Sequence, residues 1–230
     1  MQTRHWKMNN DIFENTVAAR GQLKDTEYIT YTLKKDARLR VLFVGNSITR
    51  HGVKEEIGWN RDCGMAASCL EKDYVHLVVK GLESKYGPVD FCVVHAAAWE
   101  YAFDQDEKVL GQFAGTKDFD ADIVILRIGE NSDRELLKTH DYYTHYANMA
   151  KFFFTPKSKK IVTGLFWRYE PIDLPIEKVA KDNGYIYVPI DSFGERDDCK
   201  ALSEFWHGGV AKHPNDQGMK AIADAILKVL

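Results

Sequence analysis

Five short apolar runs recur along the chain, each rich in β-branched or aromatic residues and bounded by turn or charged residues: 40–44, 90–95, 122–128, 160–166 and 185–190. Runs of this length without polar alternation are the mark of strands buried on both faces of a parallel sheet. Between them lie stretches with apolar residues at three- and four-residue steps. They are 65–85, with a break near Asp73, 135–154, 175–183, and 216–230, where Met219, Ile222, Ala223, Ile226 and Leu227 fall on one face. Pro175 suits a first helical turn, and Asn183-Gly184 is a stop signal. Strand and helix in alternation imply right-handed crossovers and helices on both faces of the sheet. The expected fold is therefore a single α/β domain over 39–230, a three-layer α/β/α sandwich of flavodoxin-like kind with a five-stranded parallel sheet. Residues 1–38 do not fit the alternation and are read as an N-terminal appendage packed on the domain.

Composition narrows the function. The formal net charge is −3 and the lysines are scattered, so no basic face exists for nucleic acid. No run of about 18 apolar residues is present to cross a bilayer, and the first 22 residues lack the apolar block of a secretory signal. The expectation is a cytoplasmic protein with no membrane partner. Cys63, Cys69, Cys92 and Cys199 form no CxxC pair and no closely spaced Cys/His set, so free thiols and no metal are expected.

In a parallel α/β sheet functional residues gather at the carboxyl ends of the strands. Those ends here read GNSIT (45–49), HAAAWE (95–100), GENSD (129–133), WRYEP (167–171) and DSFGE (191–195). Ser47 is open to two readings, a helix cap after a strand or a nucleophile held at the strand end. Gly45 allows a tight exit from the strand, and Asn46 can tie the loop together. There is no GxSxG elbow and no GxxxxGK[ST] phosphate loop. Asn131 follows Gly129 and is either a cap for the segment after it or an amide aimed at a developing oxyanion. His213 precedes Pro214, which disfavours helix at the histidine and lets its ring project over the sheet edge.

Taken together, Gly-Asn-Ser-Ile-Thr after the first strand, Gly-x-Asn after a middle strand and His-Pro-Asn before the last helix resemble the SGNH (GDSL-type) hydrolases, in the same order over residues 40–230. The resemblance implies a serine esterase working through an acyl-enzyme. Ser47 is then nucleophile, His213 general base, and the Ser47 backbone N–H and Asn131 side chain the oxyanion donors, with no cofactor. Two departures stand out. The family usually has an aspartate three residues before the histidine, where this chain has Val210. A Ser–His dyad whose ring is held by a backbone carbonyl is the preferred reading, with Asp191, Asp197, Asp198 and Glu204 as substitutes the fold could bring close. The family's glycine after the second strand is also missing from HAAAWEYA, so an alanine or later amide must stand in.

Asn46, Trp59, Trp99 and Glu100 are candidate pocket residues, and Trp167 and Arg168 flank a further strand end. Aromatic rings there suit an acylated sugar, so the expected partner is a small-molecule ester, with an O-acetyl carbohydrate the leading substrate. Burial in the core is the competing reading for each ring. The alternatives are an acyltransferase using the same site, a catalytically silent SGNH-like binding domain, and a flavodoxin-like domain with a ligand loop at 45–52.

Overall fold

The computed structural model describes residues 2–5 and 29–230. Strands β1 (Gln2–His5), β2 (Ile29–Leu33), β3 (Leu39–Gly45), β4 (Val89–His95), β5 (Ile123–Arg127), β6 (Lys159–Thr163) and β7 (Ile186–Val188) form one sheet in the order β1-β2-β4-β3-β5-β6-β7. The strands β3 to β7 are mutually parallel, as the five apolar runs require. The expectation of a five-stranded, wholly parallel sheet is corrected. β2 pairs antiparallel with the free edge of β4, Tyr31 opposite Cys92, and β1 pairs antiparallel with β2, so two antiparallel strands extend the five parallel ones and the sheet is mixed. The physical reason is edge exposure: β4 would otherwise leave its ladder groups unpaired. Part of the segment read as an appendage thus lies in the sheet itself. Residues 1 and 6–28 of that segment fall outside the described residues.

Side chains alternate across the sheet with period two. Leu42, Val44, Cys92, Val94, Val124 and Leu126 enter one core, against α2 (Tyr142–Phe153) and α3 (Glu170–Asn183). Val41, Phe43, Phe91, Val93, Ile123 and Ile125 enter the other, against α1 (Tyr74–Tyr86) and α4 (Asp216–Leu227). Helix ends follow local capping rather than the apolar period. α1 begins at Tyr74, well after residue 65, because the Asp73 carboxylate accepts the His76 N–H at 2.8 Å. α2 begins at Tyr142, where Asp141 caps, and Asn215 caps α4. α3 starts at Glu170, five residues before the expected Pro175, and ends where Gly184 takes φ 67°.

β3 is central, with β4 on one side and β5 on the other. The chain leaves β3 toward one edge and later returns to build toward the other, so the crevice at its carboxyl end is the switch point of the sheet. Ser47 follows β3, Glu100 follows β4, and Glu130 and Asn131 follow β5.

Candidate active site

The backbone leaving β3 folds back at once: Thr49 and Arg50 both donate N–H to the Asn46 carbonyl, at 2.9 and 3.0 Å. Gly45 serves this turn through close approach, since a Cβ there would stand 1.9 Å from Thr49 Oγ1 and 2.6 Å from the Arg127 carbonyl oxygen. Gly129 serves its own turn through conformation, with φ at 141°. Ser47 is partly exposed at the tip, and its carbonyl accepts the Met65 N–H at 2.9 Å.

Ser47 and His213 are 166 positions apart in the chain, yet Ser47 Oγ lies 2.8 Å from His213 Nε2. The other ring nitrogen, Nδ1, lies 2.7 Å from the Gly209 carbonyl oxygen. A carbonyl can only accept, so Nδ1 carries the proton and Nε2 turns a lone pair to the serine hydroxyl. Trp167 packs edge to face on the imidazole, centroids 5.1 Å apart. Burial pushes the His213 pKa down to about 4, with the Gly209 carbonyl opposing and Arg127 and His51 reinforcing the fall.

No carboxylate among the described residues hydrogen-bonds this ring. Val210, three positions earlier, is fully buried in the core beside α1 and α4. Asp191 accepts from Arg168 at 3.1 Å, Asp197 pairs with Lys200 at 2.8 Å, Asp198 pairs with Arg196 at 2.6 Å, and Glu204 is exposed. Ala96, one of the alanines considered for the missing glycine, spends its N–H on the Gly45 carbonyl at 2.6 Å.

Beneath Ser47 lies a floor of buried charge. Glu100 Oε1 accepts from Asn46 Nδ2 at 2.9 Å, the Gly129 N–H at 2.7 Å and the Asn131 N–H at 3.1 Å, while Oε2 accepts from Asn131 Nδ2 at 2.8 Å. Asn46 Nδ2 also donates to Glu130 Oε2 at 2.6 Å, and Asn46 Oδ1 accepts from Arg127 Nη1 at 3.2 Å. Arg127 Nη2 is ion-paired with Glu130 Oε1, which also accepts the Phe166 N–H at 3.1 Å. Burial, reinforced by the Glu130 charge, raises the Glu100 pKa to about 7. For Glu130 burial pushes upward, but Arg127 and the hydrogen bonds outweigh it and hold its pKa below the ordinary value.

All four candidate pocket residues are shielded from solvent. Trp59 is fully buried, its Nε1 donating to the His51 carbonyl and its ring packed on Phe205. Trp99 is fully buried among Phe103, Tyr142 and Tyr146. Glu100 is fully buried and Asn46 nearly so. The tryptophans lie within the two core clusters, and the two polar residues lie in the hydrogen-bonded floor. Asn46 alone of the four adjoins Ser47 directly. Arg127 and Glu130 were not singled out as functional from the sequence. The available signal was a charged residue closing the otherwise apolar strand IVILR. The cavity lined by Tyr31, Arg40, Asp90 and Phe119 lies at the opposite, amino end of the sheet and includes none of these residues. Among the described residues no cluster of three or more His, Cys, Asp or Glu could hold a metal, and no helix is long and apolar enough to cross a membrane.

No protein-family model and no curated protein matches the chain in sequence. Solved structures do match in shape. A variant of Axe2, an acetyl xylan esterase from Geobacillus stearothermophilus, is 17% identical with TM-score 0.53, over 85% of this chain and 96% of that one. A second Axe2 structure, of an enzyme described as an acetyl-xylooligosaccharide esterase, is 18% identical with TM-score 0.51, over 85% and 95%. The esterase EstA from Pseudoalteromonas sp. is 10% identical with TM-score 0.53, over 82% and 94%. At such identities the likeness is one of fold: the chain shares the α/β architecture of these esterases.

Proposed function

We propose that the protein is a carboxylic ester hydrolase in which Ser47 is the nucleophile and His213 its general base. The observation that carries this reading is the 2.8 Å approach of Ser47 Oγ to His213 Nε2, with Nδ1 already committed to Gly209. Near neutral pH the imidazole is uncharged and can take the hydroxyl proton as Oγ bonds to the ester carbonyl carbon. The carbonyl oxygen becomes an oxyanion facing the Ser47 N–H and the Asn131 side chain. Its collapse breaks the bond to the alkoxy oxygen, which leaves as an alcohol with the proton from His213. Water then attacks the acyl-enzyme, giving its proton to His213, and the acid departs as Ser47 is restored. The Gly209 carbonyl holds the ring but carries no full charge, so it stabilises the imidazolium less than a carboxylate would.

One of the enzymes that share the fold, Axe2, is an esterase of acetyl xylan and acetyl-xylooligosaccharides, and the site here has the edge of Trp167 beside His213. The substrate class we favour is a small acyl group, acetyl above all, on a carbohydrate. The position of Val210 favours one second reading, a domain that binds such ligands without turning them over.

Hydrolysis of p-nitrophenyl acetate separates the two. Ser47→Ala should lose on the order of 10⁵-fold or more in kcat, and His213→Ala should fall steeply as well. A fluorophosphonate should label Ser47 and no other serine. Equal rates in wild type and Ser47→Ala would remove the esterase reading, and a wild type that neither turns over the ester nor takes the label would leave the binding domain.

A further inference from the structure

We propose that Glu100 is a positioning residue: held under the site as a carboxylate, it fixes which way the Asn131 amide faces and so presents an Asn131 N–H to the oxyanion. This rests on the esterase reading above. Four groups converge on Glu100, and all four are N–H donors: the side chain of Asn46, the backbone of Gly129 and Asn131, and the side chain of Asn131. Only a group that accepts on both oxygens and donates on neither satisfies them, which is an ionised carboxylate. Three of the contacts grip the Gly129–Asn131 turn itself, so backbone and side chain are set by one anchor.

The fourth contact decides the amide. An asparagine amide can turn over about Cβ–Cγ, exchanging its oxygen and nitrogen with little change of shape. With Oε2 accepting at 2.8 Å, Nδ2 is the atom held toward Glu100, and its second N–H diverges from that bond. A proton on Oε2 would reverse the preference. Glu100 would then seek an acceptor, Oδ1 would turn to it, and Nδ2 would leave its place. A glutamine at position 100 offers the same ambiguity, since its own amide brings a donor among donors.

The groups facing Glu100 set where this changeover lies. Glu130 is the nearest like charge and is itself paired with Arg127; Asn46 bridges the two carboxylates; the Tyr142 hydroxyl, bonded to Ser132 Oγ at 3.0 Å, also lies within reach of the Glu100 charge. Burial and Glu130 bring the Glu100 ionisation to about 7, within the working range of an enzyme.

The test is a double-mutant cycle on p-nitrophenyl acetate. Glu100→Gln should lower kcat on the order of 10²-fold, the scale of one oxyanion donor, with KM little changed. In an Asn131→Ala background the same Glu100→Gln change should cost less than about 3-fold, because the amide it sets is gone. Equal losses in both backgrounds, or no loss in the single variant, would overturn the proposal. Should Glu100→Gln not fold, the pH profiles of wild type and Asn131→Ala decide. The wild-type kcat should rise with pH through about 7 and the Asn131→Ala profile should be flat there. A step retained in Asn131→Ala, or absent from wild type, overturns the proposal. Ser47→Ala separates the two levels: retained turnover would sink the esterase reading with this one, whereas its loss beside an additive cycle would sink the positioning role alone.

Discussion

Ser47 and Asn131 stand on the ends of adjacent strands, over two glutamates and an arginine whose hydrogen bonds tie β3, β5 and the turn after β4 into one unit. His213 reaches the same point from a loop; apart from Ser47, its ring is held by the Gly209 carbonyl and packs against Trp167. The loop is anchored through its backbone: the His213 N–H donates to the Val210 carbonyl at 2.9 Å and its carbonyl accepts from Ala201 at 3.0 Å. The serine side, proposed above to bind the acyl group, is therefore specified by charges that cannot be moved singly without leaving another unpaired. The histidine side, proposed as the base, is specified by backbone geometry, which tolerates almost any side chain that fits. This difference explains how His213 can be held without a carboxylate while an arginine and two glutamates remain buried near the serine.

Breaking the floor should have the largest effect. Arg127→Met removes the cation paired with Glu130 and leaves two carboxylates bridged by one amide. Loss of one partner from a buried pair costs about 3–5 kcal/mol, which urea denaturation would read as a lower midpoint. A wild-type midpoint would show that the floor is not the rigid half. On the histidine side, Val210→Asp supplies the carboxylate that the sequence resemblance leads one to expect there, but not its function. Val210 points into the apolar cluster with Met219 and Ile222, and His213 Nδ1 is already occupied by Gly209. The expected result is a loss of about 2–4 kcal/mol with no gain in kcat, as for a carboxylate buried without a partner. A faster and equally stable Val210→Asp protein would mean that this arm can still turn a carboxylate onto the ring.

The same contrast separates what could be read along the chain from what could not. The five parallel strands are visible because burial on both faces writes an unbroken apolar run, and residues 47, 131 and 213 are visible as strand-end and loop positions carrying hydroxyl, amide and imidazole. The strand ITYTL escapes this test, because threonines alternate with its apolar residues. The floor escapes it for another reason. Whether Glu100, Arg127 and Glu130 are solvated or buried depends on where three chain segments meet, and no local pattern carries that. Trp59 and Trp99 show the converse: an aromatic ring near a strand end looks the same in sequence whether it lines a pocket or fills a core.

The pH dependence sharpens the base side alone when it is measured in Asn131→Ala, where the step assigned to Glu100 should be absent. The proposed general base must be uncharged to act, so kcat/KM should fall as pH drops through the pKa of His213, near 4. At about pH 5 an unperturbed imidazole would be only about 3% neutral, whereas His213 would be about 90% neutral, a difference near 30-fold. The stability sign agrees. A histidine held below its ordinary value contributes stability that is present above about pH 6.5 and lost as pH falls toward 4. An acid limb near 6.5 in Asn131→Ala would mean that the ring is better solvated, or better paired, than its burial implies.

The smallest effects come from two glycines on either side of Ser47. Gly45 lies where β3 meets the floor, and an added Cβ would collide with Thr49 Oγ1 and the Arg127 carbonyl. Thr49 cannot simply swing away, because its hydroxyl is bonded to Tyr74 Oη at 2.8 Å, and the Arg127 carbonyl belongs to β5. Gly45→Ala should therefore cost about 1–3 kcal/mol as overpacking, and some kcat as the turn carrying Ser47 shifts over its floor. Gly52, on the far side, has nothing within 4 Å of where a methyl would stand and no left-handed φ, so Gly52→Ala should stay within about 0.5 kcal/mol of wild type with its turnover intact. The pair isolates close approach from conformational freedom, since neither glycine needs a left-handed backbone and only one is crowded. If Gly45→Ala matched Gly52→Ala in both stability and turnover, Thr49 and β5 would have to yield without moving Ser47, and the acyl-binding side would be as tolerant as the loop that carries the histidine.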